Sequence, residues 1–204
     1  SLDQTLIRWS ADDNYLLFHS NNAVYRYDLA NHSYKKLTPD NIYADVVAWS
    51  YRQPKQLYLR SDQDGKFNIW RLNSDTLSMS KLTKNGGFSG HESQDGRYFY
   101  YTKQYQNGLW RIDLNNYQEE LVHADFDKAN HLSWWLFNDG VYYLYGEQGA
   151  GLYWWSFEHK NHQLLWQMPP NHHGGFAISR ALNTVIFAIK ALDQWDIMQL
   201  KGNQ

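Results

Sequence analysis

The chain has no cysteine among its 204 residues, only four prolines, and only three methionines. Without thiols there is no disulfide, no thiolate metal centre and no thiol nucleophile. Charge is also in short supply. Nineteen basic against 21 acidic residues leave a formal charge of -2, so no field is present that would hold a nucleic-acid backbone or an anionic membrane. No apolar run approaches the roughly 18 residues of a membrane helix. The chain starts Ser1-Leu2-Asp3, with neither methionine nor a signal-peptide pattern, which reads as a soluble piece of a longer protein.

What the sequence has in abundance is aromatic side chains: 10 Trp, 16 Tyr and 9 Phe, spread evenly along the chain. Wide flat rings at that density suit sheets that bury both faces against neighbours. They fall into a repeat. Its clearest copy is His91–Leu114, HESQDGRYFYYTKQYQNGLWRIDL, read as a short inner strand, an Asp95-Gly96 turn, a strand Arg97–Lys103, a second turn at Asn107-Gly108 and a strand Leu109–Leu114.

Other copies follow the same order. The first has IRWS, NYLLFHS, AVYRYDL and YKKLT; the second has VVAWS, QLYLRS, FNIWRL and MSKLT; the fourth has LSWWLF, GVYYLYG, LYWWSF and QLLW. The last gives only GFAIS, TVIFAIK and WDIMQL. A period of about 43 residues is the length of one four-stranded antiparallel sheet with its connections. The expected fold is therefore all-β: a β-propeller of four-stranded antiparallel blades at about 6–38, 45–83, 88–122, 131–166 and 174–200, one domain over 1–204, with the fifth blade lacking its outermost strand. A helical repeat of similar length is rejected, because the segments alternate or run apolar for six or seven residues between Gly, Asn and Asp turns. The bare edge after Leu200 needs cover, either from the opposite terminus or from blades upstream of Ser1.

Few residues suggest chemistry. Asp12, Asp95 and Asp139 recur at the first turn of a blade and read as turn carboxylates, with Gly96 and Gly140 supplying positive φ. Ser61–Gly65, SDQDG, holds half of a calcium-loop pattern but lacks the later ligands, so a hairpin turn is expected. His159 and His162, and the pair His172-His173, have no acid completing a ligand trio. No cofactor or metal is expected. His91 and Glu92 sit on a predicted innermost strand, with Trp134 and Trp135 on the corresponding strand of the fourth copy. These four form the candidate channel-side ligand site, for a small molecule, a peptide or a protein segment. The competing reading gives Glu92 the duty of satisfying donors in a neighbouring blade. Paired carboxylates, a Gly-x-Ser-x-Gly elbow and a phosphate loop are all missing, so the chain is not expected to be an enzyme.

HESQDGRYFYYTKQYQNGLWRIDL and WWLFNDGVYYLYG resemble the Glu-Ser-Pro-Asp-Gly blades of TolB-like propellers, especially those in the carboxyl-terminal half of CadC/ToxR-type membrane-anchored winged-helix transcriptional regulators. That resemblance implies a periplasmic sensor or protein-binding domain, tied to DNA and to the inner membrane only through domains outside these residues. The alternatives it leaves open are a TolB-like envelope scaffold and the propeller part of a peptidase or glycosidase.

Overall fold

The structure, a computed structural model, describes residues 7–10, 12–128, 132–146, 151–190 and 195–201; the side chains of His173, Trp195 and Asp196 lie outside the described residues. It is an all-β propeller fold of five antiparallel blades. The chain divides into two compact units, Ser1–Lys128 and Ala129–Gln204.

The first unit holds three four-stranded blades. Blade one is β1 (Arg8–Trp9), β2 (Tyr15–Ser20), β3 (Ala23–Asp28) and β4 (Ser33–Lys36). Blade two is β5 (Ala44–Trp49), β6 (Gln56–Ser61), β7 (Asn68–Asn73) and β8 (Met79–Lys81). Blade three is β9 (Gly90–Glu92), β10 (Tyr98–Lys103), β11 (Gln106–Asp113) and β12 (Glu119–His123). The second unit holds blade four, β13 (Trp134–Phe137), β14 (Gly140–Tyr145), β15 (Gly151–Ser156) and β16 (His162–Gln167). Its blade five has three strands, β17 (His172–Ser179), β18 (Thr184–Lys190) and β19 (Trp195–Lys201).

Period-two patterning decides what each face buries. Leu17 and Val24 of blade one meet Val46, Leu57, Leu59 and Leu72 of blade two in one core. Val47, Tyr58 and Ile69 meet Phe99, Tyr101 and Ile112 across the next seam. In the second unit Leu144 and Leu152 of blade four close on Phe176 and Phe187 of blade five. Because each seam removes both walls from water at roughly 25 cal/mol per Å², a lone blade would lose most of what holds it together.

The turns repeat with the strands. Asp28, Asn73 and Asp113 end the third strand of blades one to three, and each side chain accepts backbone N–H groups two or three residues on. Four residues further on, the chain turns left-handed at His32, Leu77 and Tyr117, and again at Lys160 of blade four. The Leu-Thr pairs that follow the fourth strand have a shared duty. Leu37 and Leu82 are buried, while the Thr38 and Thr83 hydroxyls accept the backbone N–H of Val24 and Ile69 at 3.0 and 2.9 Å.

Three details differ from the sequence expectations. The β10–β11 hairpin turns at Gln104-Tyr105, not at Asn107-Gly108. Gly108 lies inside β11 at φ 128°, where an added Cβ would fall 2.5 Å from the Trp110 ring. Gly140 is not at positive φ; it begins β14, where a Cβ would come within 2.0 Å of the Trp155 carbonyl oxygen, so close strand approach is what demands it. Asp12 and Asp95 do hold their turns, accepting N–H of Asn14 and Arg97, whereas the Asp139 carboxylate is taken by Arg180 of blade five at 2.7 Å.

Candidate functional site

One end of the first unit gathers polar and aromatic groups that packing alone does not require. The ends of β2 and β6, the approach to β5, and the segments before β7 and β9 bring His19, Tyr43, Asp45, Arg60, Phe67 and Phe88 together. Arg60 lies next to last in β6, after Leu57, Tyr58 and Leu59, and is buried with its Nη2 on Asp45 Oδ2. The other carboxylate oxygen of Asp45 accepts the Val46 N–H at 2.8 Å. The guanidinium lies 3.9 Å over the Phe88 ring and 5.4 Å from that of Phe67. Desolvating such a pair costs several kcal/mol per ion, and here the ring contacts and backbone N–H offset it.

Outward from that anchor runs a chain of rings. Phe67 meets Phe88 edge-on at 5.8 Å and Tyr43 at 5.7 Å, and Tyr43 meets His19 at 5.7 Å. The Ser61 hydroxyl donates to the Tyr43 carbonyl at 2.6 Å, fixing the loop that carries the tyrosine. His19, Tyr43 and Phe67 are half-buried, so each offers one face. His19 Nε2 and Arg60 Nε are buried and have no hydrogen-bond partner among the described residues, as is true of Trp70 Nε1, Arg71 Nε and Arg111 Nε in the same unit. The arrangement suits recognition: flat apolar area with two unmet polar atoms, on a rigid charged base.

The four residues singled out from the sequence fall elsewhere. Glu92, on β9, is 2% exposed and its Oε2 accepts the Tyr58 hydroxyl at 2.7 Å across the seam between blades two and three. Gln56 donates to the same phenol at 3.1 Å, and the Tyr58 ring tilts over Phe99 at 4.3 Å. Burial, with the Glu92 charge and hydrogen bond adding to it, raises the Tyr58 ionisation far above its usual range. His91 is half-buried beside Glu92, cross-strand from Tyr100. In the second unit Trp134 is buried, and Trp135 donates its indole N–H to the Phe176 carbonyl at 2.6 Å. So the structure puts His91 and Glu92 in one unit and the two tryptophans in the other, and it engages Glu92 and Trp135 across blade seams.

A second polar constellation lies in the second unit. Arg180, in the β17–β18 turn, is 4.5 Å from the Phe137 and Trp154 rings and 5.1 Å from Tyr142, while donating to Asp139 and to the Tyr142 hydroxyl. It is a latch between blades four and five. His162, noted for its spacing to His159, stacks among Tyr145 and Tyr153. Asp64 of the SDQDG turn accepts from Asn68 and Lys81. Among the described residues no group of three His, Cys, Asp or Glu is placed to hold a metal ion.

The sequence alone matches no family model and no curated protein. Solved structures do match in fold. The chain is similar to TolB from Acinetobacter baumannii, with 15% identity and a TM-score of 0.77, over 98% of this chain and 52% of that one. It is similar to a TolB from Agrobacterium tumefaciens with 18% identity and a TM-score of 0.72, over 97% of this chain and 76% of that one. A chain of a nidogen/laminin complex follows at 12% identity and a TM-score of 0.64, over 92% of this chain and 78% of that one. The chain thus spans about half the length of the Acinetobacter protein. These matches correct one expectation. The likeness runs to TolB and not to membrane-anchored winged-helix regulators, so the transcription-regulator assignment drawn from the Asp-Gly blades is withdrawn.

Proposed function

We propose that the chain is a non-catalytic, TolB-like propeller of the cell envelope that docks another protein through the aromatic and arginine end of its first unit. The observation that carries this is the row His19, Tyr43 and Phe67, half-buried over the buried Arg60–Asp45 pair. Interfaces are enriched in Tyr, Phe and Arg because rings bring large contact area at little entropic cost, and a pre-set guanidinium spends none on ordering. The fold likeness to two TolB structures supports an envelope location, and the likeness to a chain in a protein complex supports a docking role. No cofactor enters this reading.

The test is a photo-crosslinking amino acid placed at Tyr43 or Phe67 of the full-length protein in its own cells, with Tyr34 on an outer strand as control. One discrete adduct is expected from both positions and from the periplasmic fraction only, with none from position 34. Adducts spread equally over all three positions, or none, would refute the docking surface. Turnover of peptides or oligosaccharides by the purified protein, lost in Arg60→Met, would refute the non-catalytic reading separately.

A further inference from the structure

Blade five is built like the others up to its third strand. In blade two a row of four directly paired residues, Trp49, Leu57, Leu72 and Met79, crosses the sheet, and all four face the core shared with blade one. In blade five the same row reads Ile178, Val185 and Leu200, packed against the core shared with blade four, with no fourth member among the described residues. Directly paired residues point to the same face of a sheet. A strand added beside β19 would therefore aim the side chain opposite Leu200 at blade four.

The space for that side chain exists. A cavity of about 300 Å³ sits beside Leu200, walled by Val185 and Ile178 of blade five and by Leu152, Leu165 and Trp166 of blade four. By the register of the row, a fourth residue opposite Leu200 would correspond to Met79 of blade two. At the edge next to it, β19 pairs with β18 alone among the described residues. Lys190 and Lys201, at opposite ends of the β18–β19 pair, are exposed and make no ion pair among the described residues. An unpaired strand edge supplies a full ladder of donors and acceptors, a pocket supplies selectivity, and two free cations supply a sign.

We infer that β19 is a receptor edge for an extended, acidic-flanked segment of a partner protein, which adds as the fourth strand of blade five and seats one unbranched apolar side chain in the cavity beside Leu200. The surface is independent of the aromatic end of the first unit.

A fluorescein-labelled peptide, Asp-Thr-Ser-Met-Thr-Val-Asp, titrated with the full chain and read by anisotropy, tests it without altering the protein. Saturable binding is expected, about tenfold weaker when the peptide methionine becomes glycine. Of two peptides N-methylated on opposite sets of alternate amides, one should lose about tenfold or more and the other should not, since only one edge pairs. Replacing both aspartates of the peptide with lysine should weaken binding further at low salt than at high salt. No saturable binding, or equal binding by all variants, overturns the inference. So does strong hydrogen-exchange protection, in the monomeric chain alone, of the alternate β19 amides that point away from β18, which would show its own segment there. A concentration-dependent dimer that the peptide fails to dissociate would make a second copy the occupant, and would overturn it too.

Discussion

Replacing Tyr58 with phenylalanine isolates one hydrogen bond on which a buried charge depends. The ring stays, so its contact with Phe99 at 4.3 Å and its place in the seam core are kept. What goes is the hydroxyl 2.7 Å from Glu92 Oε2, and Glu92 is 2% exposed, so the carboxylate is left in a site that water cannot enter without opening the seam. Hydrogen bonds to charged groups contribute about 1.5–3 kcal/mol, and stranding the charged partner costs at least that, so Tyr58→Phe should destabilise by about 2–3 kcal/mol. For a chain of this size that corresponds to a fall of roughly 4–12 °C in Tm. Gln56, which loses its acceptor, is half-buried and regains water, adding little. The control is the double variant Tyr58→Phe with Glu92→Met, which removes both polar partners and keeps the volume; it should recover to within about 1 kcal/mol of the parent. Equilibrium urea unfolding followed by tryptophan fluorescence measures all of these. A loss below about 0.5 kcal/mol for the single variant, or a double variant no better than the single, would show that the bond does not hold the seam.

Gly140→Ala should cost about 1–3 kcal/mol or prevent folding, because its Cβ would meet the Trp155 carbonyl oxygen at 2.0 Å and force β14 from β15; Gly65→Ala, with nothing within 4 Å, should cost only the roughly 1 kcal/mol of its left-handed φ. Arg180→Met, read by the same urea titration, should lose about 1–2 kcal/mol through its three ring contacts and its bond to Asp139. The Asp12 and Asp95 carboxyls are held below the ordinary range first by the Ser10 and Ser93 hydroxyls, and those of Asp28 and Asp113 first by the N–H groups of Asn31 and Asn115. A depressed carboxyl contributes stability that is present above the unfolded value near 4 and lost as pH falls through the folded one, so the urea midpoint should drop below about pH 4, and less steeply in Asp95→Asn. Tyr58 and Tyr101 run the other way: burial raises them, so their contribution holds below about pH 10 and is lost above it. Phenolate absorbance from these two should appear only as the chain unfolds in alkali.

The repeat was legible because it is written in local rules. Alternation, the Asp-Gly turns of the third and fourth copies and the Leu-Thr close of the first two are patterns of neighbouring residues, so strand order and the missing fifth-blade strand could be read directly. Gly108 misled for a physical reason. Asn-Gly is the strongest hairpin signal, but here the glycine gives way to the Trp110 ring, whose position follows from folding and not from neighbours in sequence. Arg60 escaped notice because its partners, Asp45, Phe67 and Phe88, come from other strands and loops. The available signal was an arginine next to last in its strand, after Leu57, Tyr58 and Leu59, a residue type seldom buried without a partner. Glu92 was noticed for its place on an inner strand, yet which face it took depended on the register Phe99↔Glu92, which the sequence does not print.

The arginines bear on why both proposed surfaces lie away from the blade seams. Arg26, Arg71 and Arg111 share one register position in the third strands of the first unit. Arg26 reaches Ser74 and Asp75 in the next blade, and Arg71 reaches the Tyr117 hydroxyl at 2.8 Å in the blade after. Blade four has Trp154 at that position, and the cation comes from the opposite side, as Arg180 of blade five. Either way each seam between consecutive blades of a unit is latched by an ion or dipole pair over an aromatic ring, outside an apolar core. The atoms so engaged are committed to the seams. The polar atoms without a hydrogen-bond partner at His19 and Arg60, and the outer side of β19, which pairs with β18 alone among the described residues, lie outside these latches. A partner that binds there adds contacts without breaking any latch, so it need not spend binding energy on opening the fold.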